Sequence, residues 1–198
     1  MTHTINDAGQ HLEENDPRPE FLAMAPYIKG LGLDIGCGTN RLSPTVMTID
    51  WYPHSDTDFI WNCLIDNKVR NPYPFQSNRF DFVFASHVLE DFPPSDIQWV
   101  FDEWLRLIKP GGFLIILVPD MEGGRYPDWD EVFEENDIEV QRGERRVGET
   151  KGNPSHMLTM GITKMKELCA NTPHAWEVVQ FDTIPHNTMT LDVVIRKL

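Results

Sequence analysis

Residues 31–50 read Leu31-Gly-Leu-Asp-Ile-Gly-Cys-Gly-Thr-Asn-Arg-Leu-Ser-Pro-Thr-Val-Met-Thr-Ile-Asp50. The run Leu31 to Ile35 has the continuous apolar character of a strand buried on both faces, and Gly36 and Gly38 follow it as a turn. A second short strand over Val46 to Ile49 ends in a carboxylate, Asp50. Glycine in such a turn lets backbone approach a ligand closely, because no Cβ intrudes. An acid at the tip of the next strand suits a ribose diol, since an ionised carboxylate accepts hydrogen bonds from both hydroxyls. The stretch therefore predicts a site for an adenosine-type cofactor at the carboxyl ends of a parallel sheet.

The dinucleotide fingerprint requires Gly-x-Gly-x-x-Gly opening a helix whose N-terminus holds a pyrophosphate. Here Arg41 stands at the third glycine position, and Arg41 to Thr45, with Pro44 among them, leave no room for a helix before the second strand. A cofactor with a ribose and no phosphate, such as S-adenosylmethionine, fits better.

Asp34-Ile-Gly-Cys-Gly-Thr-Asn40 resembles the first motif of class I S-adenosylmethionine-dependent methyltransferases, of the small methyltransferase-11-like type. The resemblance extends through Phe80-Asp-Phe-Val-Phe-Ala-Ser-His-Val-Leu-Glu90 and Leu107-Ile-Lys-Pro-Gly-Gly-Phe113 to Val118-Pro-Asp120, and covers roughly residues 20 to 120. It implies a Rossmann-like α/β sheet with a final antiparallel strand, from which this chain departs in that its short spacing leaves the helices after the first strands shortened or absent. It implies cofactor contacts from Asp34, Gly36, Cys37, Gly38, Asn40, Asp50, Trp51, Ile65, Asp66, Ser86 and His87, with Asp66 accepting from the adenine amino group. The chain departs from the family pattern at Asn40, often glycine, and at Glu90-Asp91, where an acid–His pair is usual.

A chain of 198 residues with 40% hydrophobic and 24% charged content suits one globular domain. No apolar run approaches the ~18 residues of a membrane helix. Cys37, Cys63 and Cys169 are odd in number and scattered, which argues against a disulfide framework or zinc site and for a reducing cytoplasm. Seventeen basic and 31 acidic residues give a formal charge of −14, so phosphate backbones are repelled at long range and nucleic acid is not the expected acceptor.

Residues 1–17 are polar and expected to be loose, and Phe21 to Ile28 reads as a short helix. Asp58 to Asn62 is a candidate third strand, followed by a Pro- and Asn-rich loop over Asn67 to Asn78. Phe80 to Ala85 is a buried strand. Ser95 and Gln98 form a capping-box pattern ahead of Ile97, Val100, Phe101, Trp104, Leu105 and Ile108 at helical spacing. Lys109-Pro-Gly-Gly112 ends that helix, and Phe113 to Val118 is the fifth strand. Residues 120–160 form a long insertion with a helical pattern over Asp128 to Asp137. It also holds the chain's one basic cluster, Arg142, Arg145, Arg146 and Lys151, which suits an acidic small-molecule acceptor. Thr163 is the expected cap of a helix to Ala170, and Trp176–Asp182 and Thr190–Arg196 read as a closing hairpin.

Methyl transfer from a sulfonium is a direct displacement that needs positioning and, for a protonated acceptor, a base. His87, Asp120 and His156 are the candidate bases, each at or beyond a strand's carboxyl end. Neither a His-Glu-x-x-His nor a Gly-x-Ser-x-Gly sequence is present, against a zinc or serine hydrolase. Two other readings stand beside the methyltransferase: an NAD-dependent oxidoreductase, disfavoured by the missing first helix, and a non-catalytic S-adenosylmethionine-binding or interaction protein.

Overall fold

The computed structural model describes residues 3–5, 11–13, 23–65, 69–123, 134–143, 156–158, 160–183 and 190–198. Strands β1 (His3–Ile5) and β2 (His11–Glu13) pair antiparallel, which the polar composition of residues 1–17 does not announce. Of the helix expected over 21–28, residues 23–24 are helical and Ala25–Tyr27 form a 3-10 turn, while residues 21–22 lie outside the described residues. Pro26 lacks an N–H and disfavours the α conformation at the residue before it, so the turn stays short.

The main sheet begins with β3 (Gly32–Ile35), β4 (Met47–Asp50) and the two-residue β5 (Phe59–Ile60). A small hairpin follows, β6 (Leu64–Ile65) with β7 (Val69–Arg70), where a loop was expected from residue 67 onward. The sheet continues with β8 (Phe80–Ser86) and β9 (Ile108–Pro119), and closes with β10 (Trp176–Phe181) and β11 (Thr190–Lys197). Its order is β10-β11-β9-β8-β3-β4-β5. Strands β5, β4, β3, β8 and β9 run parallel, whereas β11 is antiparallel to both β9 and β10. The expected closing hairpin is present. The chain leaves β3 toward β4 and β5 on one side and returns to β8 on the other. The crevice where strand order reverses therefore lies between β3 and β8, at their carboxyl ends.

The two sheet faces are covered unequally. Helix α1 (Ile97–Leu107) lays Ile97, Val100, Phe101, Trp104 and Leu105 on one face, all buried. A four-residue helix, α2 (Ile138–Gln141), lies in the insertion, and α3 (Ile162–Asn171) adds Met165, Leu168 and Cys169 to the same face as α1. On the other face Phe82, Phe84, Ile115, Leu117 and Val194 pack under Met24, Ile28, Leu42 and Val46. Those last four come from the amino-terminal turn and the β3–β4 connection, so no full helix covers this side among the described residues.

Three local expectations change. Ile108, the last residue of the apolar stripe, opens β9 rather than ending α1. The capping box does not form, because α1 starts with Asp96 at its cap position. Ser95 Oγ instead donates to Asp96 Oδ2 at 2.7 Å, and Gln98 Nε2 donates to Asp102 and to the Leu168 carbonyl, tying α1 to α3. Thr163 lies inside α3, whose first turn is capped from outside: its N–H donates to Glu122 Oε2 at 2.7 Å. The helix expected over 128–137 lies partly outside the described residues. Residues 134–137 are not helical, and Asp137 precedes α2.

The insertion leaves and returns at one place. Met121 and Glu122 both donate to the Met160 carbonyl, at 3.1 and 3.3 Å. The Met157 N–H donates to the Glu90 carbonyl at 2.9 Å, bringing residues 156–158 onto the turn after β8.

Parallel strands are usually joined by ~12 or more residues containing a helix, and here a polar clasp does the joining. Arg41 Nη2 donates to Asp58 Oδ1 at 2.5 Å, to Thr48 Oγ1 at 3.2 Å and to the Asp56 carbonyl at 3.0 Å. Thr48 N–H donates to Asp58 Oδ2 and Asp58 N–H to Thr48 Oγ1. The residue standing where a dinucleotide site has its third glycine thus pins the β3–β4 connection to the β4–β5 connection. Arg41→Ala is expected to lower unfolding free energy by about 1–2 kcal/mol, the low end for charge-assisted hydrogen bonds because both side chains are partly exposed. Urea unfolding checks this; an unchanged midpoint would show the clasp contributes nothing.

Candidate active site

The glycine turn is held from β4. Gly36 (φ 70°) donates its N–H to the Ile49 carbonyl at 2.8 Å, and a Cβ there would stand 2.3 Å from Val88 Cγ2. Gly38 (φ 54°) donates to Asp50 Oδ2 at 3.0 Å. Asp50 Oδ1 accepts the Tyr52 N–H at 3.0 Å, and His54 Nε2 stands 3.9 Å from the same oxygen. Asp50 is 6% exposed, and each oxygen keeps a lone pair beyond the one its backbone N–H engages. A Cβ on Gly38 would meet nothing within 4 Å, so the backbone here faces open space.

A cavity of about 370 Å³ opens beside this turn at the switch point. Gly36, Asp50, Trp51 and His54 line one part of it; Trp61, Asn62, Cys63, Leu64 and Tyr73 form a wall; His87, Val88, Asp91, Phe92 and Met157 complete it. Of the residues expected to hold cofactor, Gly36, Asp50, Trp51 and His87 meet here. Asp34 lies behind the turn, where its Oδ2 accepts the Leu42 N–H at 2.9 Å. Cys37 is buried with Sγ 3.8 Å from Thr57 Oγ1, and burial pushes its thiol pKa up. Gly38, Asn40, Ile65 and Ser86 are not in the cavity wall; Leu64 takes the place expected of Ile65, which is exposed on the β6–β7 hairpin. Asp66 lies outside the described residues.

The turn after β8 gathers a second group. His87 adopts φ 55°, a conformation uncommon outside glycine, and its N–H donates to the Leu117 carbonyl at 2.8 Å. Its Nε2 lies 3.1 Å from Thr190 Oγ1 on β11, and its Nδ1 lies 3.4 Å from Glu90 Oε1. Glu90 is fully buried, and the same oxygen lies 3.6 Å from His156 Nε2. His156 is therefore brought to this group but sits behind Glu90, with its neighbour Met157 reaching the cavity. Burial holds the His156 pKa below the ordinary imidazole value, against the pull of Glu90. Asp91 lines the cavity, and burial, then the charge of Glu90, pushes its carboxyl up to about 7. Asp120 is buried away from the cavity wall, with Oδ1 accepting the Gly123 N–H at 3.0 Å in the turn after β9.

Trp61, Tyr73, Asp91 and Met157 were not singled out from the sequence. Asp91 carried a signal, its position in Glu90-Asp91 where an acid–His pair is usual. The other three reach the cavity only through long-range folding: Trp61 Nε1 donates to the Asn71 carbonyl, and Tyr73 Oη accepts from Trp104 Nε1 on α1.

Comparison with known proteins agrees with this geometry. Residues 33–116 match the family described as a methyltransferase domain. No curated protein sequence matches the chain. Among solved structures, the chain is similar to a Burkholderia thailandensis 1,6-didemethyltoxoflavin-N1-methyltransferase solved with 1,6-didemethyltoxoflavin and S-adenosylhomocysteine. Identity is 14%, coverage 93% of this chain and 79% of that one, and the TM-score 0.59. It is similar also to an S-adenosylmethionine-dependent methyltransferase from Mesorhizobium loti, at 15% identity, 90% and 96% coverage and TM-score 0.58. A third, from Archaeoglobus fulgidus, has 12% identity, 89% and 91% coverage and TM-score 0.56. Residues 33–116 are thus a methyltransferase domain, in a chain with the fold of the class I S-adenosylmethionine-dependent methyltransferases.

Proposed function

We propose that this chain transfers a methyl group from S-adenosylmethionine to a small-molecule acceptor by direct displacement, within a single domain suited to a reducing cytoplasm. The observation that carries the reading is the pairing of Asp50 with the Gly36–Gly38 turn on the rim of one cavity at the switch point. The residues fit the donor: an acid with lone pairs to spare for ribose hydroxyls, glycine backbone open to close approach, and Trp51 beside them as an aromatic surface. When bound, the donor supplies an electrophilic methyl on sulfur and departs as a neutral thioether, so no acid is required. The small acceptor of the Burkholderia neighbour supports an acceptor of similar scale in a cavity this size.

The remaining work falls to the turn after β8. His87 and Asp91 lie on the cavity wall away from the proposed ribose acid, and the Asp91 carboxyl at about 7 is poised for proton exchange near neutral pH. Glu90 stands against His87 from behind, with His156 on the same carboxylate oxygen. Val88, Phe92 and Met157 give that part of the wall apolar surface. An oxidoreductase reading gains nothing from the structure, because the described β3–β4 connection offers no helix end for a pyrophosphate.

Two outcomes test the reading. Asp50→Ala removes the ribose acceptor and the Gly38 tether together, and isothermal titration should show S-adenosylhomocysteine binding weakened by roughly 2–4 kcal/mol. An unchanged dissociation constant would sink the assignment. The second concerns pH. Because the folded-state pKa of Asp91 lies above its unfolded value, the carboxyl's contribution to stability is full below about pH 4 and is lost as pH rises to about 7. Asp91→Asn lacks that loss, so its stability should gain on the parent between about pH 5 and about pH 8 in urea unfolding. An equal difference at both pH values would mean Asp91 is not held protonated.

A further inference from the structure

We propose that the acceptor presents a nitrogen base, an amine or a ring nitrogen bearing N–H, to Asp91, rather than an acidic group. The proposal rests on the methyltransferase reading and names the substrate class of that same cavity.

Three observations point there. First, the ionisable side chains on the described wall are Asp50, Asp91, His54, His87, Cys63 and Tyr73; no Lys or Arg lines it. An acidic acceptor would be taken out of water beside carboxylates with no fixed cation to compensate, which is costly. Second, Asp91 Oδ1 is cut off from solvent and has no hydrogen-bond partner among the described residues, and neither has either oxygen of Glu90 behind it. Among the described residues, Glu90 Oε1 stands near the imidazoles of His87 and His156, at 3.4 and 3.6 Å. These oxygens leave the Glu90–Asp91 pair short of donors, and Asp91, which lines the cavity, is the member that an acceptor's N–H can approach. Third, Trp61, Tyr73 and Phe92 give the same cavity aromatic surface, which favours a cation or a polarised N–H over an anion. Of the basic cluster that suggested an acidic acceptor, Arg142 alone lies among the described residues. Arg142 is exposed at the end of α2 and away from the cavity, and Arg145, Arg146 and Lys151 lie outside the described residues.

The chemistry balances without another reactant. The nitrogen lone pair forms the new N–C bond as the methyl's C–S bond breaks and its electron pair stays on sulfur. The surplus proton on nitrogen passes to the Asp91 carboxylate and from there to solvent. Asp91 thus orients the nucleophile through its N–H before transfer and takes the proton after it.

The test is binding, read without turnover. Parent protein is saturated with S-adenosylhomocysteine, and saturation-transfer NMR and calorimetry compare benzylamine and histamine with their acidic counterparts, benzoate and imidazole-4-acetate. The expected result is measurable affinity for at least one amine, at least tenfold above its acidic counterpart. In Asp91→Asn that amine's affinity falls at least tenfold while S-adenosylhomocysteine still binds. Carboxylate binding equal to or tighter than amine binding in the parent overturns the proposal, and so does the absence of any amine binding. Amine affinity in Asp91→Asn within twofold of the parent also overturns it. All three leave the methyltransferase reading standing. Failure of S-adenosylhomocysteine to bind the parent is a different outcome, which removes that reading and the proposal with it.

Discussion

The Asp50 carboxylate, with one oxygen on the Gly38 N–H and the other on the Tyr52 N–H, is the contact on which the site depends. It fixes the end of β4 to the turn leaving β3, and so gives two adjacent parallel strands a common carboxyl edge. Everything that lines the cavity is placed relative to that edge. Val88 presses on Gly36 from the turn after β8, where any side chain at 36 would collide. The same acid carries the ribose-binding role in the proposed function. Its structural duty and its ligand duty are compatible because a carboxylate has about four acceptor positions and the turn uses two.

The unequal covering of the sheet explains how this edge stays fixed without the usual helices. One face has α1 and α3 and a continuous apolar core. The other has a 3-10 turn and the loop residues Leu42 and Val46. The Arg41–Thr48–Asp58 network does by hydrogen bonding what a crossover helix does by burial. Such a network is directional, so it holds the β3–β4 and β4–β5 connections in one arrangement, as a site formed by two loops requires.

Much of the fold was legible because it is written in period and punctuation. The near-continuous apolar runs of β8 and β9, the stripe of α1, and the two last strands each have a local signature that burial enforces. The Gly36, Gly38 and Asp50 pattern was legible for the same reason: glycine and a strand-end acid are local requirements of the turn. The capping box at Ser95 failed because Asp96 is engaged by Ser95 and by Arg70 at 2.9 Å, and no local pattern records that pull. The joining of His87, Glu90 and His156 was not legible either. It depends on an insertion closed by hydrogen bonds between Met121, Glu122 and Met160, residues nearly forty apart in the chain. His156 was read as one of three candidate bases. It lies beside the buried Glu90 and off the cavity wall, and the proposed function instead gives that role to Asp91, whose acidity in a family position usually held by histidine was the one visible hint.

The central claim is that the donor lies against the β3–β4 edge, between the glycine turn and Asp50. Amide NMR of the 15N-labelled protein during titration with S-adenosylhomocysteine tests it directly. The account predicts that the Gly36, Gly38 and Tyr52 amides shift together in one saturable transition, while Asn78 and Arg196, at the opposite end of the sheet, stay still. Saturable shifts that leave those three amides unmoved, or no shifts at all, would contradict it.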